Sequence, residues 1–293
     1  MATTLQSLRK QIDSAQDMQS IVRVMKSLSA VSINAYQSAA QRLRLYQEVV
    51  DRGLHAVMMS GAVHLAPEQP TKARSGLIVY GSDRGLCGGF NEIVVNKARE
   101  ELEQHTREVP ILAIGVRGAA RLEAEGYVPD QVFMQAGSVS GMSKLVEWIL
   151  VAVDEWRAKQ KIVRVVTVFN YEASRGTVRP RGETVLPVGR DELDRIAGRD
   201  WPSNQLPQFD GSADMVFSAL IRERLYTALM RAGAESLAAE HAKRLSAMQA
   251  AERNITDKIE TLQAGFRRQR QDAITDELMD IVAAYESVSS KPE

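Results

Sequence analysis

The sequence is most informative in what it lacks. It holds a single cysteine, Cys87, in 293 residues, which excludes an intramolecular disulfide framework and fits a reducing compartment. Only 5% of residues are aromatic although 44% are hydrophobic, so the apolar content is aliphatic and leans toward long helices. There is no run of 18 apolar residues: Leu145–Val153 is interrupted by Glu147, and nothing is expected to span a membrane. Neither charge sign dominates, with 37 Lys and Arg against 37 Asp and Glu. That balance gives no support to nucleic-acid binding and argues against an acidic disordered chain. The start of the chain shows no apolar signal core and no Arg/Ser-rich transit extension. The expectation is a mature protein that begins at or near Met1, inside a cell and outside the bilayer.

Proline and glycine are scarce at both ends. From about Thr3 to Met59 there is no proline and one glycine, Gly53. Apolar residues there recur mostly at steps of three and four, with one double step from Leu28 to Ala35: Leu8, Ile12, Ala15, Met18, Val22, Met25, Leu28, Ala35, Ala39, Leu43, Tyr46 and Val50. From about Asp214 to Tyr285 the pattern repeats through Phe217, Ile221, Leu225, Leu229, Leu237, Leu245, Met248, Ile255, Ile259, Leu262, Phe266, Ala273, Leu278, Val282 and Tyr285, with glycine only at Gly233 and Gly265. Such narrow stripes predict helical coiled-coil seams. At 1.5 Å per residue the helices would be roughly 85 and 110 Å long, far beyond the roughly 30 Å of a small domain. Helices of this kind need partners, and the two ends of the chain supply them most simply as an antiparallel pair.

The middle alternates. Ser75–Gly81, Pro110–Val116, Val132–Met134, Lys161–Asn170 and Thr184–Val188 read as strands, and Phe90–His105, Arg117–Glu125 and Ser140–Lys159 as helices. That order predicts βαβ units and a mostly parallel sheet. Gly189–Gln208 reads as a linker. The expected fold is therefore an α/β domain over 70–208, inserted between coiled-coil helices over 1–59 and 209–293.

Few segments carry chemistry. The loop Gly81–Asn91 follows a strand and opens a helix, where phosphates bind, but it has neither the Walker nor the dinucleotide spacing, and a tight turn is the better reading. Cys87 near a helix start has no histidine close in sequence; His55, His64, His105 and His241 form no metal spacing. Arg267, Arg268 and Arg270 form a basic cluster followed by Asp272, Asp276, Glu277 and Asp280, with Arg268 expected to pair with Asp272. Small residues at Ser14, Ser29, Ser32, Ala35, Ala39, Ala232, Ala239, Ser246 and Ala250 suggest a slender seam.

Taken in order, three segments resemble the gamma subunit of F-type ATP synthases, over nearly the full chain. They are Ile12, Ser14, Ile21, Met25 and Ala30; the loop Ser82–Asn91; and Leu237-Ala238, Glu240, Arg244, Ala247-Met248 and Asn254, continued by Arg270-Gln271, Ile274-Thr275 and Glu277-Leu278. The resemblance implies a central rotor, with its coiled coil inside a ring of alpha and beta subunits. It further implies an α/β domain beside the epsilon subunit and the c-subunit ring, and no catalytic residue, cofactor or metal of its own. It also implies contact roles toward beta or epsilon for Met25, Lys26, Arg84, Cys87, Arg267, Arg268, Arg270, Gln271, Thr275 and Glu277. Met25 and Lys26 are expected to face the helix around Gln271. Departures at Ile21–Leu28 and at Ala283-Ala284-Tyr285 are similar to a diverged bacterial branch thought to pump sodium, though the ion itself is read in membrane subunits. The location implied is the cytoplasmic face of a bacterial plasma membrane. An α/β enzyme with helical oligomerisation arms and a coiled-coil scaffold are the alternatives.

Overall fold

The computed structural model describes residues 4–63, 74–104, 108–174, 176–205 and 207–289, with side chains described as far as 283. Of the residues singled out above, Met1, Thr3, His64 and His105 lie outside the described residues, as do the side chains of Ala284 and Tyr285. The chain forms two compact units: residues 29–244, and residues 1–28 together with 245–293. Two long helices, α1 (Leu5–Met59) and α6 (Ala213–Ser289), contribute to both.

In the unit 29–244 a five-stranded sheet runs in the order β3-β2-β1-β4-β5. Strands β1 (Ser75–Tyr80), β2 (Ile111–Ile114), β3 (Gln131–Phe133) and β4 (Arg164–Ser174) are parallel, and β5 (Thr177–Leu186) returns antiparallel beside β4. Every residue of β1 and β2 is buried, as continuous apolar strands in a sheet covered on both faces should be. One face carries α2 (Phe90–Glu103) and α3 (Val116–Ala124), whose Val94, Ala98, Ala119 and Leu122 pack on Leu77, Val79 and Val168. The other face carries α4 (Met142–Gln160), together with Tyr36 and Ala40 of α1 and Leu225–Ala238 of α6.

Residues 227–240 of α6 are buried on all sides. They nonetheless include charges, and each charge is met. Arg231 donates to both Glu183 oxygens at 2.7 Å and reaches Glu235 at 3.4 Å, while Arg44 pairs with Glu235 at 2.7 Å. Gly233 does not break the helix. A methyl group there would lie 3.3 Å from the Tyr80 ring, so glycine lets α6 approach β1, and the Tyr80 hydroxyl donates to the Leu229 carbonyl at 3.0 Å.

In the other unit, α1 and α6 run antiparallel. Gln19 donates to Thr256 at 2.9 Å, and Lys26 meets Glu252 at 2.5 Å. The less exposed positions of α1 here are Leu5, Ser7, Leu8, Ile12, Ala15, Gln19, Val22, Met25 and Lys26; apart from the flanking Ser7 and Met25 they fall at alternating steps of three and four. That is the heptad spacing of a two-helix seam. It corrects the apolar stripe read from the sequence. Met18 and Leu28 are 53% and 63% exposed, because their polar neighbours Gln19 and Ser29 turn inward instead. Likewise Ser14, Ala35, Ser246 and Ala250 are exposed, whereas Ala15, Ser29, Ala232 and Ala239 are buried.

Two elements differ from expectation in the α/β unit. Strand β5 begins at Thr177 rather than near Thr184; its first half contains Pro180 and Gly182, which an edge strand tolerates. The expected linker contains a helix, α5 (Arg190–Ala197), anchored by buried Leu193 and Ile196.

Candidate functional site: the loop on helix α6 and the paired helix ends

The loop after β1 is stitched from within. Gly81 must be glycine: a Cβ there would stand 2.5 Å from the Gly118 Cα, backbone against backbone. The Ser82 amide donates to Asn91 Oδ1 at 2.9 Å, and Asn91 Nδ2 donates back to the Ser82 hydroxyl at 2.7 Å. Asp83 accepts from the Val116 amide at 3.0 Å, at the start of α3, and from the Gln135 amide at 2.8 Å. A carboxylate is well placed at a helix start. The amides of Ser82 and Asp83, which a phosphate would need, are both taken; the Asp83 amide donates to Gln135 Oε1 at 2.9 Å. The loop is the tight turn the spacing favoured.

Cys87 is 2% exposed, with its sulfur 3.7 Å from the Ser82 hydroxyl and from the Arg84 carbonyl. Burial pushes its thiol above the usual range, so it holds its proton. The exposed residues of the loop are Arg84, Gly85, Leu86, Gly88 and Gly89, with Cys87 beneath them. Leu86 is 64% exposed at φ +61°, a left-handed backbone rare for a branched apolar residue.

Beneath the loop lies a polar cluster on α6. Gln135 Nε2 donates to the Gly81 carbonyl at 2.8 Å and to Glu240 at 2.6 Å. The other Glu240 oxygen accepts from Arg244 at 2.5 Å, and the same Arg244 nitrogen lies 3.5 Å from the carbonyls of Arg84 and Gly85. Burial raises the Glu240 carboxyl, against the pull of Arg244. His241 stacks on Tyr36 with ring centroids 5.7 Å apart; burial, then Arg244 and Arg84, lowers it to about 4, so it is neutral.

The paired helix ends place the remaining candidates differently from the expectation. Lys26 is tied to Glu252, which Arg23 also reaches at 3.3 Å. The Lys26 hydrogen bond holds the Glu252 carboxyl below its usual range. Met25 therefore does not face Gln271, which lies about five turns further along α6, roughly 28 Å away. The seam's polar residues set this register, and they were invisible to an apolar count. Arg267, Arg268, Arg270, Gln271, Thr275 and Glu277 are all exposed. Among the described residues Arg268 forms no pair with Asp272, and Thr275 turns its hydroxyl back to the Gln271 carbonyl at 3.0 Å. Two apolar stripes are left open: Met18, Ile21, Val24 and Leu28 on α1, and Ile274, Leu278, Ile281 and Val282 on α6. Sequence reading missed Gln135, Leu86 and Glu252; only Leu86, inside the conspicuous loop, carried a signal.

Among the described residues no group of three or more His, Cys, Asp or Glu could hold a metal ion, and no helix is long and apolar enough to cross a membrane.

Two long terminal helices around an inserted, mostly parallel sheet define a class: the central-stalk fold. The family described as ATP synthase matches residues 4–288, and the chain belongs to that family as a gamma-type, central rotor subunit. The ATP synthase gamma chain of Pelotomaculum thermopropionicum is 29% identical over 95% of this chain and 97% of its own length. The chloroplastic gamma subunit of Zea mays is 26% identical over 98% and 90%. Among solved structures, a chain of the Euglena gracilis mitochondrial ATP synthase superposes with a TM-score of 0.63 at 18% identity, covering 99% of this chain and 97% of that one. A central-stalk chain of the Tetrahymena thermophila enzyme gives 0.56, also at 18% identity, over 79% and 99%.

Proposed function

We propose that the paired helix ends turn inside a ring of alpha and beta subunits, and that the α/β unit meets the epsilon subunit and the c ring at the cytoplasmic face of a bacterial plasma membrane. The observation that carries this is the pair of open apolar stripes. Ile274, Leu278 and Ile281 lie on a stretch of α6 beyond the start of α1 at Leu5, so among the described residues nothing of α1 covers them. Apolar stripes left open on an otherwise charged helix mark an interaction surface. An enclosing ring of apolar contacts covers such a helix while leaving it free to turn.

In this reading the chain has no catalytic residue, and ATP chemistry belongs to beta. Each beta subunit meets a different face of an asymmetric shaft, and differential contact shifts its site between states. By linkage, hydrolysis drives the shaft in reverse. Arg267, Arg268, Arg270, Gln271, Thr275 and Glu277 are exposed on the same stretch and are the contacts nearest those stripes. Exposed arginines there give attractions that salt screens and rotation can break. Met25 and Lys26 act from α1 beside its own open stripe, about five turns from Gln271, and Arg84 acts from the loop, with Cys87 beneath it.

The test is co-purification. The chain expressed with its own alpha and beta subunits is expected to form one complex with ATPase activity. A chain that never assembles with them is not this rotor.

A further inference from the structure

The loop Ser82–Gly88 and helix α6 are far apart in sequence, yet the side chains of Gln135 and Arg244 join them. Gln135, just past the edge strand β3, uses both ends of its carboxamide. Its Oε1 accepts from the Asp83 amide at 2.9 Å. Its Nε2 donates to the Gly81 carbonyl at 2.8 Å and to Glu240 at 2.6 Å. Glu240 in turn grips Arg244 at 2.5 Å, and Arg244 reaches the two carbonyls on the loop's outward turn, those of Arg84 and Gly85, at 3.5 Å each. Loop start, loop tip and helix are thereby closed into one ring of hydrogen bonds. Glu240 and Arg244 are 3% and 5% exposed, so water does not substitute readily for a missing member.

We propose that Gln135 is a positioning residue of the rotor: through Glu240 and Arg244 it locks the loop carrying Arg84 and Leu86 onto α6, so that the loop moves with the helix rather than lagging behind it. The chemistry is specific. A carboxamide accepts from an amide at its oxygen and, with two N–H groups, donates to both a carbonyl and a carboxylate at its nitrogen. A glutamate would set two carboxylates against each other, and a leucine would leave the Glu240 oxygen, the Gly81 carbonyl and the Asp83 amide short of a partner.

The loop's role in coupling rests on the rotor reading; the lock itself does not, and the two are measured separately. Hydrogen exchange on the isolated chain is expected to show the Asp83 amide and its loop neighbours exchanging at least ten-fold faster in Gln135→Leu, with β1 and the centre of α6 unchanged. The double variant Gln135→Glu with Glu240→Gln restores one carboxylate facing one carboxamide and is expected to recover much of the protection. In the assembled complex, Gln135→Leu is expected to lower ions pumped per ATP hydrolysed while leaving ATP hydrolysis itself near wild type, with partial recovery in the double variant. Unchanged loop exchange in Gln135→Leu overturns the lock. A loosened loop with wild-type pumping per ATP overturns its role in coupling. Failure of the wild-type chain to assemble counts against the rotor reading alone, since the exchange measurement stands without it.

Discussion

Gln19 on α1 donates a hydrogen bond to Thr256 on α6 at 2.9 Å, across 237 residues of chain. With Lys26 on Glu252, it fixes the register of the antiparallel pair. A chain carrying Gln19→Cys and Thr256→Cys, with Cys87 replaced by Ser, is expected to link within one molecule under a short bis-maleimide. The same treatment of Met25→Cys with Gln271→Cys is expected to leave single chains unlinked. Efficient intramolecular linking of the second pair would mean the register is wrong by about five turns.

Gly81 and Gly85 sit in the same loop under different constraints. A methyl group at Gly81 meets the Gly118 backbone at 2.5 Å, whereas one at Gly85 meets nothing within 4 Å. Backbone cannot rotate aside as a side chain can. Gly81→Ala is therefore expected to destabilise the α/β unit by roughly 2 kcal/mol or more, in the range of overpacking and strain. Gly85→Ala is expected to stay within about 0.5 kcal/mol, as for surface changes away from special features. Chemical denaturation followed by tryptophan fluorescence reads both, since Trp156 packs in this core. Equal losses would mean that the close approach of the two turns is not what holds glycine at 81.

The α/β order and the two terminal helices were legible because they rest on periodicity. Runs such as Leu77–Tyr80 and Val165–Phe169 read as buried strands whatever surrounds them, and proline-free stretches of this length have few alternatives to helix. The seam was legible in kind but not in phase. Met18 and Gln19 are neighbours, and only the partner helix decides which of them turns inward; here polar Gln19 does, because Thr256 stands opposite it. The loop's motif was visible as a string but not as a structure, since its hydrogen bonds go to Val116 and Gln135, residues with no local signal. Helix α5 escaped notice because two buried side chains, Leu193 and Ile196, anchor eight otherwise polar residues.

His241 gives the fold a pH dependence of definite sign. Folded, it is neutral, lowered to about 4 by burial and by Arg244 and Arg84; unfolded, it titrates near the ordinary 6.5. A depressed folded value means the unfolded chain takes up a proton first. Stability from this group is unaffected above about pH 7, falls as pH drops from 6.5 toward 4, and changes no further below. The full loss is on the order of 3 kcal/mol. His241→Phe keeps a ring against Tyr36 and removes the titration. The difference in unfolding free energy between variant and wild type should thus shift steadily in the variant's favour between pH 6.5 and 4. Parallel stability curves over that window would show that His241 charges as readily in the folded protein as in the unfolded one.

The open stripe on α6 separates folding from assembly. Ile274 and Leu278 are 48% and 56% exposed, so replacing both by Ser removes little apolar burial from the chain itself. Burial of apolar surface contributes about 25 cal/mol per Å² only where water is actually excluded. Thermal unfolding of the isolated chain is expected to shift by no more than about 2 °C, the order for a sub-kilocalorie change in a chain of this size. Assembly with alpha and beta subunits is where the loss should fall, as a weakened complex or as ATP hydrolysis that no longer drives rotation. A control at Val128, exposed in the α/β unit, should leave assembly intact when replaced by Ser. If Ile274→Ser with Leu278→Ser assembles and couples as wild type does, the stripe is not the surface the ring holds, and the contact must rest on the exposed arginines at 267, 268 and 270 instead.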